Sequence, residues 1–382
     1  MPDRILTTHV GSLPRGQELT ELLFAAERDE PVDPKTFERV VSAAVNETVR
    51  RQVVAGVDIV SDGEMSKISY ATYIKDRISG FAGDSPRMPP ADLEAFPTFL
   101  ERQAKGGGTP SYRRPRCVSE IKPVTLSPLH GDIRRFAAAR AALGNPAAFM
   151  NAASPGVIAL FQPNDFYSDS DAYLEALAEA MRPEYEAIVE AGLTLQLDSP
   201  DLGLGRHMMF KDRTDADYLR IIGRHVEVLN HALRNIPADL CRMHVCWGNY
   251  EGPHHCDVEM AVILPTLLLA RPAGLLFETA NPRHQHDWEA FEAQLPKLPA
   301  DKVLIPGVID STSNFIEHPR VVAERIERFT RLVGPERVIA GTDCGFSTFA
   351  GFGAVDPEIV WAKLGALAEG AAIASARVPA WA

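Results

Sequence analysis

The segment Leu240-Cys241-Arg242-Met243-His244-Val245-Cys246 is an apolar run of strand length that closes in two residues able to bind a metal. Two later runs end in a comparable way, in Phe277-Glu278-Thr279 and in Gly341-Thr342-Asp343-Cys344. Side chains on a strand alternate between its two faces, so His244 and Cys246 lie on the same side of this segment. The pattern predicts strands whose carboxyl ends carry chemistry.

Runs of this kind recur along the whole chain and alternate with longer helical patterns, which is typical of βα units. Eight such units favour a closed barrel, and no Gly-rich phosphate motif follows the first run to indicate a doubly wound sheet. We therefore predict an α/β fold, a single (β/α)8 TIM-type barrel over residues 1–382, with an inserted loop and hairpin region around 80–130. The predicted strands are Ile5–Val10, Val57–Ser61, Phe149–Ala152, Leu193–Leu197, Leu240–Val245, Leu275–Phe277, Val303–Val308 and Arg337–Ala340.

The composition of the chain limits the classes of binding partner that we expect. The chain has 382 residues with 51 acidic against 39 basic side chains, a net charge of −12 that argues against nucleic acid. The first fifteen residues lack the apolar run of a signal peptide, and no apolar run is long enough to span a membrane. Five cysteines, an odd and widely spaced set, favour a reduced compartment and metal binding over disulfides. We expect a cytoplasmic protein without nucleic-acid or membrane partners.

The polar residues follow the predicted strands in the way that a barrel enzyme requires. In such barrels the active site lies at the carboxyl ends of the strands, where side chains from different strands meet. Polar or metal-binding side chains end or follow most of the predicted strands. They are Ser12, Glu64, Asp198, His244, Cys246, Glu278, Asp310 and Cys344.

Four of these residues form a ligand set for zinc: His244, Cys246, Glu278 and Cys344 offer one imidazole, two thiolates and one carboxylate. Long gaps separate them, so the fold must gather them, unlike the closely spaced Cys pairs of structural zinc knuckles. The competing interpretation of each cysteine is a small buried apolar residue. We predict Zn²⁺ as the cofactor.

The chain resembles the catalytic domain of cobalamin-independent methionine synthases. Thr7-Thr8-His9-Val10-Gly11-Ser12-Leu13-Pro14-Arg15 resembles the opening of that domain. His244-Val245-Cys246, Phe277-Glu278-Thr279 and Asp343-Cys344-Gly345 are similar, in order and context, to the three segments that supply its zinc ligands. Gln196-Leu197-Asp198-Ser199-Pro200 resembles its Gln-Ile-Asp-Glu-Pro segment. The resemblance extends over nearly the whole chain.

This resemblance implies a (β/α)8 barrel in which a zinc-activated thiol accepts an alkyl group. It implies that Glu64 and Asp198 bind the amino group of an amino-acid thiol such as homocysteine, and that Gly11 and Ser12 bind its carboxylate. Asp310 and His207 are the candidates for a catalytic proton relay. The expected partners are a small-molecule thiol and an alkyl donor, and a homo-oligomer is left open.

Some segments depart from the methionine synthase pattern. The family's tryptophan at the pterin contact has no evident counterpart, and Phe161 and Phe166 are the nearest aromatic residues. Val308-Ile309-Asp310-Ser311-Thr312 and the segment from Gly341 to Phe346 are more similar to the epoxyalkane:coenzyme M transferase branch, which adds a zinc-bound thiol to a strained ring.

The leading prediction is therefore a zinc-dependent S-methyltransferase of the 5-methyltetrahydrofolate/homocysteine type, an enzyme of methionine biosynthesis. Addition of coenzyme M to an epoxide is the alternative within the same superfamily. A hydrolase would favour histidine-rich zinc ligands and an open water position, so two cysteines argue against it. The remaining alternative is a barrel with a structural zinc that acts as a binding module.

Overall fold

The computed structural model describes residues 4–86, 89–105 and 113–378. Its main feature is a nearly closed barrel of eight parallel strands, in the order β1-β10-β9-β8-β7-β6-β5-β2. This confirms the predicted (β/α)8 barrel, and each predicted strand overlaps one of these eight. The strands are β1 (Leu6–Thr7), β2 (Ile59–Val60), β3 (Phe81–Ala82), β4 (Arg116–Cys117), β5 (Ala147–Ala153), β6 (Thr194–Asp198), β7 (Cys241–His244), β8 (Gly274–Phe277), β9 (Val303–Ile309) and β10 (Ile339–Thr342).

Side chains join the first two barrel strands, between which no backbone ladder is formed. The Thr7 N–H donates to Asp58 Oδ2 at 2.9 Å, and the Asp58 N–H donates to Thr7 Oγ1 at 3.0 Å. The hydroxyl of Thr8 adds a bond to the carbonyl of Ile59. These contacts fix β1 beside β2, and they set the position of the residues that follow each strand.

Helices surround the barrel, and several of them begin at side-chain caps. Asp33 and Asp169 cap α2 and α7, and Thr214 and Asp217 form a reciprocal capping box at the start of α8. The helices of the described residues are α1 (Gln17–Glu27), α2 (Pro34–Val54), α3 (Ala91–Glu94), α4 (Pro97–Lys105), α5 (Ser127–Ala141), α6 (Pro155–Phe161), α7 (Ser170–Glu190), α8 (Asp215–Ala232), α9 (Met260–Leu267), α10 (Trp288–Gln294), α11 (Pro319–Val333) and α12 (Pro357–Ser375). None of them combines the length and the hydropathy needed to cross a bilayer.

Side chains alternate between the two faces of each strand, and this alternation divides the hydrophobic core into two parts. Phe277 of β8 packs outward, and its ring stacks on Phe291 of α10 at 4.3 Å and meets Phe329 of α11 at 5.5 Å. Leu276, the neighbour of Phe277, instead packs with Ile305 of β9 in a separate small cluster. Helices therefore cover one face of each strand while the opposite face fills the barrel, as the period of two requires.

The predicted insertion around 80–130 is present and is more structured than a loop. β3 pairs antiparallel with β4, and α3 and α4 lie between these two strands. The basic residues near β4 are used in ion pairs: Arg113 bonds Asp29, and Arg116 bonds Asp165. This basic patch therefore attaches the insertion to the barrel.

Candidate functional site

Three of the four predicted metal ligands come together at the carboxyl ends of β7 and β10. His244 is the last residue of β7, Cys246 lies two positions further, and Cys344 lies two positions beyond β10. One ligand atom from each of the three lies within 4.8 Å of the others, and all three residues are buried. The period of two along the β7 end explains why His244 and Cys246 face the same point.

His244 uses its two ring nitrogens differently. Nδ1 lies 3.4 Å from Asp198 Oδ1, whereas Nε2 is buried and has no hydrogen-bond partner in the described part of the chain. Burial lowers the pKa of His244, but the bond to Asp198 and the negative charge of Cys246 outweigh it and raise the pKa to about 9. A carboxylate behind one nitrogen and a bare second nitrogen is the usual arrangement of a metal-binding histidine.

The two cysteines shift each other's pKa in opposite directions. Their sulfur atoms are hydrogen-bonded to each other, which lowers the pKa of Cys246 to about 7 and raises the pKa of Cys344 well above the usual value of a thiol. Cys246 is therefore the more readily ionised of the two thiols. Cys117, Cys241 and Cys256 are also free but lie outside this cluster.

Glu278 lies beside this cluster but its carboxylate is not grouped with the three ligand atoms. Oε1 accepts the backbone N–H of Trp247 at 2.9 Å, and Oε2 accepts Asn281 Nδ2 at 2.7 Å. Burial raises the pKa of Glu278 to about 8, and the negative charge of Cys246 adds to this. The carboxylate of Glu278 is thus held by the loops that follow β7 and β8.

Asp343 fixes the loop that carries Glu278. Its Oδ1 accepts the N–H groups of Thr279 and Ala280, and its Oδ2 accepts the N–H of Asn281, all at 2.8–2.9 Å. Burial raises the pKa of Asp343 to about 7, with Asp310 acting in the same direction. We did not identify Asp343 as functional from the sequence, although it directly precedes Cys344 and could have been suspected for that reason.

A cavity of about 1000 Å³ opens beside the cluster at this end of the barrel. Cys246 and His244 form part of its wall. The predicted substrate residues Ser12, Glu64 and Asp198 also line it. Gly11 is not among its lining residues. The φ of +140° at Gly11 and the position of Asn151, 2.3 Å from where a Cβ would lie, show that this glycine is needed by the backbone.

Glu64 and Asp198 are presented to the cavity in different ways. Glu64 has a φ of 56°, its carbonyl accepts Arg15 Nη2, and its buried Oε2 has no hydrogen-bond partner among the described residues. Burial raises the pKa of Glu64 to about 7, although Lys67 acts in the opposite direction. Asp198 accepts bonds from Asn151 Nδ2 at 2.9 Å and from Gln196 Nε2 at 3.0 Å.

The two predicted proton relays lie elsewhere. Asp310 Oδ1 accepts the N–H and the hydroxyl of Thr312, both at 2.8 Å, and so caps the turn after β9. His207 is buried with its Nδ1 3.4 Å from Asp257 Oδ1, and burial lowers its pKa. Neither residue is among the described residues that line the cavity. Their catalytic role remains a prediction.

Aromatic residues form another part of the cavity wall, and they include Phe161, which the sequence suggested as an aromatic residue near the missing pterin tryptophan. Tyr70, Phe161, Phe349, Tyr250 and Phe352 all line it. They come from the segments after β2, β5, β7 and β10, far apart in the chain, so neither spacing nor local pattern could reveal that they meet.

We compared the chain with known protein families and with curated proteins. A family model described as "Cobalamin-independent synthase, Catalytic domain" matches residues 5–88. The methionine synthase of Saccharolobus solfataricus is 25% identical over 367 residues, which cover 95% of this chain and 93% of that protein. That of Thermococcus kodakarensis is 23% identical, with 96% and 92% covered. This chain is therefore similar to the cobalamin-independent methionine synthases over nearly its whole length.

Solved structures support the barrel fold of this chain. A B12-independent methionine synthase from Shewanella sp. W3-18-1, in complex with selenomethionine, aligns with a TM-score of 0.75 at 17% identity, covering 99% of both chains. A vitamin-B12-independent methionine synthase from Listeria monocytogenes, described as putative, aligns with a TM-score of 0.63 at 17% identity, covering 97% of this chain and 98% of that one. The overall fold is therefore shared over nearly the whole length of the chain.

Proposed function

We propose that this protein is a zinc-dependent methyltransferase that transfers a methyl group to the sulfur of a small amino-acid thiol of the homocysteine type. The observation that carries the proposal is the position of the His244, Cys246 and Cys344 cluster on a cavity that is also lined by Glu64 and Asp198. The similarity to curated methionine synthases over nearly the full length of the chain supports it. We take residues 1–382 as one catalytic unit.

The donor set fits zinc. One imidazole nitrogen and two sulfurs suit a borderline-soft metal, and the bare Nε2 of His244 is the kind of atom that a metal satisfies. We assign His244, Cys246 and Cys344 as ligands, with Glu278 as a fourth ligand that the substrate thiol would replace. When bound, zinc lowers the pKa of a thiol and keeps it as a nucleophilic thiolate.

The chain's own residues orient the amino acid. An ammonium group is attracted by Glu64 and Asp198, and the unpartnered Oε2 of Glu64 offers it an acceptor. Ser12 lines the same cavity and offers its hydroxyl and backbone N–H to a carboxylate. Asp198 has a second role, because its contact with Nδ1 of His244 leaves Nε2 as the nitrogen that would bind zinc.

The charges of the cavity bear on the alternative substrate. Coenzyme M carries a sulfonate, which needs basic groups. Among the described lining residues Arg114 is the one arginine or lysine, against the acids Glu64, Asp198 and Glu251. This balance favours an ammonium-bearing thiol. A purely structural zinc is also less favoured, because structural sites are closed by four protein ligands whereas this cluster borders a cavity.

Zinc X-ray absorption on the purified protein, with homocysteine and coenzyme M in parallel, tests the proposal. We expect homocysteine to add one sulfur to the zinc shell and coenzyme M to add none. A second assay measures the formation of methionine from homocysteine and a panel of methyl donors. If zinc binds but neither thiol alters its shell, and no donor yields methionine, the proposal is wrong and the site is structural.

A further inference from the structure

Three aromatic rings of the cavity wall form a connected group. Tyr70 lies between Phe161 and Phe349, with ring centroids 5.8 Å apart in both pairs and planes inclined at 83° and 52°. Phe349 in turn meets Phe352 at 6.3 Å. We call Tyr70, Phe161 and Phe349 the aromatic wall. The thiol site described above does not use it.

The cavity is lined by more acidic than basic side chains. Its acidic lining residues are Glu64, Asp198 and Glu251, and Arg114 is the one basic residue among the described lining residues apart from His244 of the metal cluster. Behind the floor, Lys67 donates to the carbonyl of Asn151 rather than reaching the cavity. This excess of carboxylates favours a cation over an anion in the cavity.

A cavity lined by aromatic rings and carboxylates is suited to bind cations. The faces of aromatic rings attract methylated cations, in which the positive charge is spread over apolar methyl groups. The wall already meets a cation of this protein, since the Arg114 guanidinium lies 5.6 Å from the centroid of the Phe161 ring. The chemistry of the aromatic wall thus suits a positively charged methyl carrier.

We propose that the methyl donor is a small methylsulfonium compound, bound with its positive sulfur against the aromatic wall. This inference rests on the proposed function and identifies its second substrate. In the transfer, the substrate thiolate sulfur forms a bond to the methyl carbon. The bond between that carbon and the sulfonium sulfur breaks, and its electron pair stays on the sulfonium sulfur, which leaves as a neutral sulfide.

The proton balance of this transfer is consistent with the residues that line the cavity. The thiol loses its proton when the thiolate forms, and the departing sulfide takes up none, so the step needs no general acid. A donor that leaves as an amine anion would need one. The two acids that the sequence suggested for that role, His207 and Asp310, do not line the cavity in the described structure.

A donor panel tests the proposal on the zinc-loaded enzyme with homocysteine. The donors are dimethylsulfoniopropionate and S-methylmethionine, each with deuterated methyl groups, then glycine betaine, 5-methyltetrahydrofolate with one or three glutamates, and methylcobalamin. We expect deuterated methionine from a sulfonium donor. Methionine from only the folates, betaine or methylcobalamin would overturn this inference and leave the methyltransferase proposal intact. No methionine from any donor would count against both.

Binding gives a readout that does not depend on turnover. We expect Tyr70→Leu to weaken the binding of trimethylsulfonium, measured by calorimetry, about tenfold, because a desolvated cation–ring contact has that value. Phe349→Leu is a second variant of the same wall, and Tyr70→Phe should retain the binding because it keeps the ring. Phe315→Leu, which changes an aromatic side chain that is 83% exposed and does not line the cavity, is the matched control. Equal affinity in wild type and both wall variants would overturn the proposal.

Discussion

Cys344 is the residue that joins the end of β10 to the metal cluster of β7, and its contribution can be isolated. We expect Cys344→Ser to lower zinc affinity more than about 100-fold, since even residues behind the ligands cost 10–100-fold in such sites. Zinc content after dialysis against a competing chelator measures this. Cys256→Ser is the control, because Cys256 is half-buried and lies outside the cluster. Equal zinc retention in both variants would contradict the ligand assignment.

Glu64 gives the amino-acid site a pH dependence. Its pKa is raised to about 7, so the carboxylate becomes charged as the pH rises through that value. Attraction for an ammonium group is therefore present above about pH 7 and lost below it, and we expect the Kd for methionine to fall about tenfold from pH 6 to pH 8. Methionine has no thiol, so its calorimetric titration avoids the thiol's own ionisation.

Glu64→Gln separates this effect from other titrations. The amide keeps the shape of the side chain but does not change charge, so the Kd of the variant should be nearly constant over the same pH range. The same tenfold change in Glu64→Gln would show that another group binds the ammonium.

At the scale of elements, the loop after β1 is held against β5 through Gly11 and Asn151. Asn151 Nδ2 donates to the carbonyl of Val10 and to Asp198 Oδ2, both at 2.9 Å. A side chain at Gly11 would collide with Asn151 and would also strain the backbone at its positive φ. One glycine thus permits three elements to meet below the cavity.

We expect Gly11→Ala to reduce the free energy of unfolding by about 2–4 kcal/mol, as a collision and backbone strain in a packed region do. Urea denaturation followed by circular dichroism measures it. Gly223→Ala in α8 is the matched control, because no atom lies within 4 Å of its added Cβ and alanine favours a helix. The control should be stabilised by up to about 1 kcal/mol. A similar small change at Gly11 would contradict the packing argument.

At the scale of the whole molecule, the metal cluster connects parts of the barrel that are distant in sequence. His244 ends β7 and Cys246 follows it, while Cys344 follows β10, and β8 and β9 lie between β7 and β10 in the sheet. Zinc that binds the folded chain but not the unfolded chain stabilises the folded state. The gain is about 4 kcal/mol when the free zinc concentration exceeds the Kd a thousandfold. The barrel should therefore be more stable with zinc.

Removal of zinc by chelation should lower the Tm by several degrees, measured by calorimetry on wild type and on Cys344→Ser. The variant should show no difference between zinc-loaded and chelated samples. The wild-type protein must be shown to hold zinc at the outset. If its Tm then does not change on chelation, the result would contradict a zinc site that joins β7 to β10.

The sequence by itself determined the order of the barrel and the kind of site. Strand length and the alternation of apolar runs with helical patterns are local properties, so the approximate positions of all eight barrel strands follow from the residue pattern. The side-chain period of two also determined that His244 and Cys246 face one point. The residue types of these ends, together with a family resemblance, were enough to suggest zinc and a thiol.

The tertiary structure alone decided which of these residues meet. Cys344 joins the cluster because β10 and β7 curve toward one another around a closed barrel, whereas the Glu278 carboxylate is held by Trp247 and Asn281. His207 and Asp310 follow strands as the others do, but loop conformation turns them to other partners. The aromatic wall was hidden for the same reason. Contacts between distant segments depend on barrel closure and loop packing, which no local pattern contains.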